Sequence, residues 1–174
     1  MIELSVVRDL VAIFGVIAGF SYYVMTVRNA RKALKTQTLM RLREQQMSTE
    51  WMNDYIELLE TEWTDYDDFL RKYDSSVNRD NYIKRYKLWN FMDGIGYHLH
   101  QGLIDIDSVY HLTQALGANM QWRKWKSVIE EHRRRYNNPD WWIWFEYLND
   151  EVTKMRVKRG YPPETTDVDG YFQT

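Results

Sequence analysis

LVAIFGVIAGFSYYVMTV, residues 10–27, runs for eighteen residues without a charged side chain. Wound into an α-helix it reaches about 27 Å, against a bilayer hydrocarbon core of about 30 Å. The stretch predicts one membrane-spanning helix, which Ile2, Leu4, Val6 and Val7 can lengthen. Arg8 then falls near the outer boundary, where its stem lets the guanidinium reach the headgroups. Tyr22 and Tyr23 lie toward the other end, in the zone that amphipathic rings favour. A cleaved signal peptide fits poorly. Glu3 and Asp9 stand where positive charge should precede the run, and no A-x-A site follows it. The other alternative is a buried helix of a soluble protein, which passes the same test of apolar length.

Outward from the run, the charges are asymmetric. Arg28, Arg31, Lys32, Lys35, Arg41 and Arg43 come before the first acid, Glu44, whereas only Arg8 is basic on the other side. Basic residues stay on the cytoplasmic side, so the N-terminus is expected outside and the remainder in the cytoplasm of a single-pass cell-membrane protein. The basic run could also touch anionic lipid heads, but a topology signal is the simpler account. Within the span, Ala12, Gly15 and Gly19 share a face at a spacing that lets two helix backbones approach. That makes them candidates for a helix–helix contact in the membrane.

The rest of the chain is polar enough to bring the mean hydropathy to −0.62. With 44% hydrophobic and 28% charged residues it is too apolar for disorder. A net charge of −2 gives no general reason to expect nucleic acid as a partner. The absence of cysteine excludes disulfides and thiol chemistry. Apolar residues recur at helical rather than alternating spacing, so the expected class is all-α. The organisation expected is a transmembrane anchor (1–27), a basic helical stalk (28–47), a soluble bundle of about five helices (48–159) and a flexible acidic tail (160–174).

Ser48 or Thr49 is placed to cap the first helix of the domain, with Glu50 in its first turn. Met52, Tyr55, Ile56, Leu59, Trp63, Tyr66, Leu70 and Tyr73 follow at three- and four-residue steps, as one inward face. The acids between them, among them Glu57, Glu60, Asp65 and Asp68, read as its solvated face. DSSVNRD (74–80) is a loop. The helix after it carries Tyr82, Tyr86 and Trp89 on one side and Leu88, Met92, Ile95 and Leu99 on another, which predicts a central position. Gly94 and Gly96 inside that helix predict close backbone approach. Gly102 ends it, Asp105 or Asp107 caps the next, and Gly117 is expected to end that one. Trp122, Trp125, Ile129, His132 and Tyr136 form one inward stripe. Asn137, Asn138 and Pro139 break the chain, and Asp140 is expected to cap the last helix.

LWNFMDGIGYHLHQGLIDIDSVYHL, followed by WRKW and HRRRYNNPDWWIWFEYLNDEV, lies within residues 88–152. This stretch resembles an uncharacterised family, a domain of unknown function, in short bacterial and archaeal proteins. The Gly-Leu-Ile-Asp turn at 102–105 and the aromatic-Glu-Tyr-Leu run at 145–148 carry the resemblance. It implies one N-terminal span followed by a helical domain, and no catalytic residue.

Candidate chemistry is sparse. Asp107 and His111 have i,i+4 spacing and are weak metal candidates, but a helix cap beside a histidine accounts for them. No H-E-x-x-H, G-x-S-x-G or Walker loop occurs, and no cofactor is expected. Arg123, Lys124 and Lys126, interleaved with tryptophan, read as a solvated basic face rather than a nucleic-acid site. Asp93 stands among apolar neighbours, and an arginine or tyrosine partner is expected for it. Trp141 and Trp142 diverge by about 100° if helical, so one ring should be exposed and available to a partner. The expected function is a membrane-anchored interaction module, self-associating or an accessory subunit of a larger complex. The alternative is an enzyme with a polar pocket around Asp93 and His98.

Overall fold

The computed structural model describes residues 4–112 and 116–163, with the side chain of Leu116 excepted. Seven helices are found there, and no strand among the described residues: α1 (Leu4–Gln46), α2 (Thr49–Glu60), α3 (Tyr66–Tyr73), α4 (Arg79–His100), α5 (Ile106–Leu112), α6 (Leu116–Arg135) and α7 (Ile143–Lys158). Among the described residues six helices follow the first, where about five were expected. The chain divides into two units, Met1–Met40 and Arg41–Thr174. The expected tail lies, from residue 164 on, outside the described residues.

α1 runs unbroken through the apolar stretch and the basic stalk, and it has no buried residue. It is long and apolar enough to cross a membrane. Ser48 ends the stalk by capping α2, its hydroxyl accepting from the Trp51 N–H at 3.2 Å.

One long helix from Thr49 to Tyr73 does not form. Thr61 folds its hydroxyl back onto the Leu58 carbonyl at 2.7 Å, and Asp65 caps a separate α3 through the Asp68 N–H at 2.8 Å. The local hydrogen-bonding side chains win over apolar periodicity there. Trp51 and Leu58 are the buried residues of α2, while Met52 is exposed. Asp68 departs from the solvated face: it is buried, paired with Arg71 at 2.7 Å and Lys72 at 2.8 Å. Those two cations hold its carboxyl well below the usual range.

α4 packs chiefly against α7, with α2, α3 and α5 as further neighbours. Its buried stripe is Asn81, Arg85, Leu88, Trp89, Met92, Ile95 and Gly96, so Tyr82 and Tyr86, expected beside Trp89, are exposed instead. Gly96 is where the two backbones meet, since a Cβ added there would run into the Trp144 carbonyl. Gly94 has no such neighbour. Gly102 takes a left-handed φ of 66° and closes α4, with Gly102 and Leu103 N–H groups bonded to Leu99 and His98 carbonyls at 3.0 Å each. Asp105 then caps α5 through the Ser108 N–H at 2.7 Å.

Gly117 does not end α5. It sits in the first turn of α6, where the Tyr55 hydroxyl donates to its carbonyl at 3.4 Å. Trp122, Trp125 and Ile129 are buried as the stripe predicts, His132 is half-buried, and Tyr136, just past the helix end, is exposed. Trp125 is the centre of an aromatic core: its ring stacks on Trp63 at 5.0 Å and meets Trp89 edge-on at 5.4 Å.

Candidate functional site: an aromatic cleft

The residues before α7 set up the site. Asp140 does not cap the helix. Trp142 occupies the cap position in the left-handed region (φ 53°, ψ 36°) without a capping side-chain bond of its own. The cap comes from another helix, because one Asp93 carboxylate oxygen accepts from the Trp144 and Phe145 N–H groups at 2.9 and 3.0 Å. Asp93 thus has a backbone partner where an arginine or tyrosine was expected. On the other side, Arg133 donates through Nε to the Trp141 carbonyl at 2.7 Å and pairs with Glu146 at 2.6 Å. A left-handed tryptophan carries a conformational penalty of roughly 1–2 kcal/mol. Anchors from α4 and α6 offset it.

This turn corrects the expectation of one exposed tryptophan. Residues 141 and 142 precede the helix, so the 100° divergence of a helical pair does not apply. Both rings are half-buried, and both line the same cleft. Trp142 meets Trp89 edge-on at 4.7 Å and Tyr86 at 6.2 Å. Trp141 packs on Tyr136 at 5.4 Å. The cleft encloses about 510 Å³, a size suited to a small organic molecule.

Arg85 also lines the cleft and was missed in the sequence. It is buried, and its guanidinium carbon stands 4.8 Å from the Phe69 ring centre and 5.0 Å from that of Tyr82. It donates to the Tyr73 carbonyl and to Asn81 Oδ1, both neutral acceptors. Burial pushes its pKa down to about 10, with Tyr82 and Asp74 working in the opposite direction. The available signal was its place on the stripe of α4 that carries Leu88, Trp89 and Met92.

His132 also lines the cleft. Its Nδ1 lies 2.8 Å from the Val128 carbonyl oxygen and 3.2 Å from the Tyr66 hydroxyl. Burial lowers its pKa below the ordinary histidine value. Burial likewise raises the Asp93 carboxyl, against the two N–H bonds that favour its charge. His98 is not among the residues lining this cleft, so the expected pairing of Asp93 with His98 is not made there.

The remaining candidates lie elsewhere. Asp107 takes an ion pair from Arg159, which also approaches His111 at 3.4 Å, and no cluster of three or more metal-ligating side chains exists among the described residues. Ala12, Gly15 and Gly19 are exposed on α1, and added Cβ atoms at the two glycines would meet nothing within 4 Å. Arg123 and Lys126 are exposed, in keeping with a solvated face, while Lys124 sits over the Trp63 ring at 4.8 Å.

The chain matches no known family, curated protein or solved structure.

Proposed function

We propose that the chain is a membrane-anchored recognition module. α1 spans the bilayer with the N-terminus outside, and the helical domain presents the aromatic cleft in the cytoplasm to a partner, either a second copy or a larger membrane complex. The observation that carries this reading is the held turn at Trp141 and Trp142, which Asp93 and Arg133 fix from two helices. Rigid aromatic surface placed by a scaffold contributes binding energy at small entropic loss. The polar groups of the cleft favour recognition over catalysis, since Asp93 caps α7 and His132 is tied to Val128. The enzymatic alternative draws less support from this cleft, whose lining does not include His98.

The test is co-purification from native membranes, comparing the natural chain with Tyr86→Ala. Tyr86 is 48% exposed, so its loss should leave the melting temperature nearly unchanged. The partner should be weakened by about 2 kcal/mol, roughly thirtyfold in affinity. Retention of every partner by a folded Tyr86→Ala chain would remove the cleft from the account.

A further inference from the structure

Arg85, which lines the cleft, has no ion-paired counterpart, although the Asp74 carboxylate acts on its charge through space. Arg85 is 2% exposed, and among the described residues no carboxylate forms an ion pair with it. Buried charges are ordinarily paired, because an isolated one loses its hydration without replacement. Two of its hydrogen bonds go to a backbone carbonyl and an amide oxygen, which satisfy donors without neutralising charge. Its face lies over Phe69 and Tyr82, and 5.9 Å from the Trp89 ring centre. Stacking of that kind leaves the edge of the guanidinium for a partner, and a planar fork fits a carboxylate with two parallel bonds.

We propose that the cleft binds a small organic acid, with its carboxylate on Arg85 and its flat apolar body against the rings of Tyr86 and Trp142. The proposal rests on the reading of the cleft as a recognition site. The acids that also line it, Asp74, Asp93 and Asp140, narrow the class further. Asp74 is held by the Ser76 N–H at 2.9 Å and hydroxyl at 2.7 Å, and Asp93 by two N–H groups of α7. Hydrogen bonds hold the Asp74 carboxyl in its charged form, while burial works against the charge of Asp93, so a multiply charged anion such as phosphate would meet more repulsion than a single carboxylate. An aromatic body is matched by the walls, where edge-to-face and stacked contacts are available.

The experiment uses the full chain in nanodiscs of neutral lipid, titrated by calorimetry with benzoate, phenylacetate and indole-3-acetate. Inorganic phosphate and benzyltrimethylammonium serve as contrasting probes. At least one aromatic carboxylate should bind, and at least about tenfold more tightly than either contrasting probe. Tyr86→Ala, which removes an exposed wall, should weaken that binding about tenfold without shifting the melting temperature. Arg85→Met should abolish it, and Tyr86→Ala keeps the question answerable if Arg85→Met does not fold. Preference for benzyltrimethylammonium would overturn the proposal in favour of a cation cage while leaving the recognition reading intact. Binding of none of the acids would overturn it as well. If Tyr86→Ala still costs the native partner in that case, the cleft is a protein-binding surface. If the partner is also retained, the recognition reading falls with it.

Discussion

α1 and α4 are both long helices rich in large apolar side chains, and they satisfy them in opposite ways. Phe14 and Phe20 of α1 are each 67% exposed, and no residue of that helix is buried. In α4, Leu88, Trp89, Met92 and Ile95 are all buried, on a stripe whose opposite side carries residues such as Lys87 and Asn90. Apolar content alone therefore does not decide burial. α4 confines its apolar residues to a face that protein can cover, whereas residues 10–27 are apolar on all sides and suit a surrounding apolar solvent. The same contrast explains the glycines. Those of α1 are open, while Gly96 of α4 touches another backbone.

The comparison breaks most severely if the aromatic core tolerates a void. Trp125→Ala should destabilise the domain by about 3–5 kcal/mol, read from denaturant unfolding of the chain in detergent. An unchanged midpoint would place Trp125 outside the core. Next in size is Gly96→Ala, whose new methyl must displace backbone at Trp144. A loss of about 3 kcal/mol is expected, together with weakened protection of α7 amides in hydrogen exchange. By contrast Gly94→Ala, on the same helix in open space, should raise stability by about 0.5–1 kcal/mol. Equal effects at the two sites would mean that α4 and α7 do not meet at Gly96.

Asp93→Ala tests the borrowed cap. Removing it leaves two N–H groups at the start of α7 without their acceptor, at a loss of about 1–2 kcal/mol. The cleft tryptophans should lose order, visible as altered near-ultraviolet circular dichroism. A spectrum and stability unchanged from the natural chain would show that the cap does not hold the turn.

The smallest effect is a pH dependence. His132 titrates below the ordinary value of 6.5 in the fold, because burial disfavours its charged form. The unfolded chain therefore binds the proton more readily. Stability from this group is present above pH 6.5 and is lost as pH falls through that value toward the folded pKa. His132→Phe should flatten that part of the stability profile. An identical slope in the variant would assign the dependence to other groups.

What was legible in the sequence follows from local rules. The apolar run at 10–27, the Ser48 cap, the left-handed Gly102 and the Asp105 cap each depend on residues within a few positions of one another. The break at 61–65 was obscured because apolar residues kept their period across it. The role of Asp93 was hidden because its acceptor duty is performed on backbone 51 residues away. Trp142 was misread for a related reason. A left-handed tryptophan is tolerated only where distant side chains hold it, and no local pattern announces Arg133 as its anchor. Arg85 was missed because one arginine within a helix ordinarily reads as solvated, and only the packing of Phe69, Tyr82 and Trp89 around it shows otherwise.

The contrast between the two helices is tested most directly by extracting native membranes with alkaline carbonate and following the full chain. With α1 spanning the bilayer, the protein stays in the membrane pellet, and replacing Phe14 and Ile17 with arginine moves it to the supernatant. Release of the natural chain by carbonate alone would contradict the account, because the apolar faces of α1 would then be covered by protein rather than lipid.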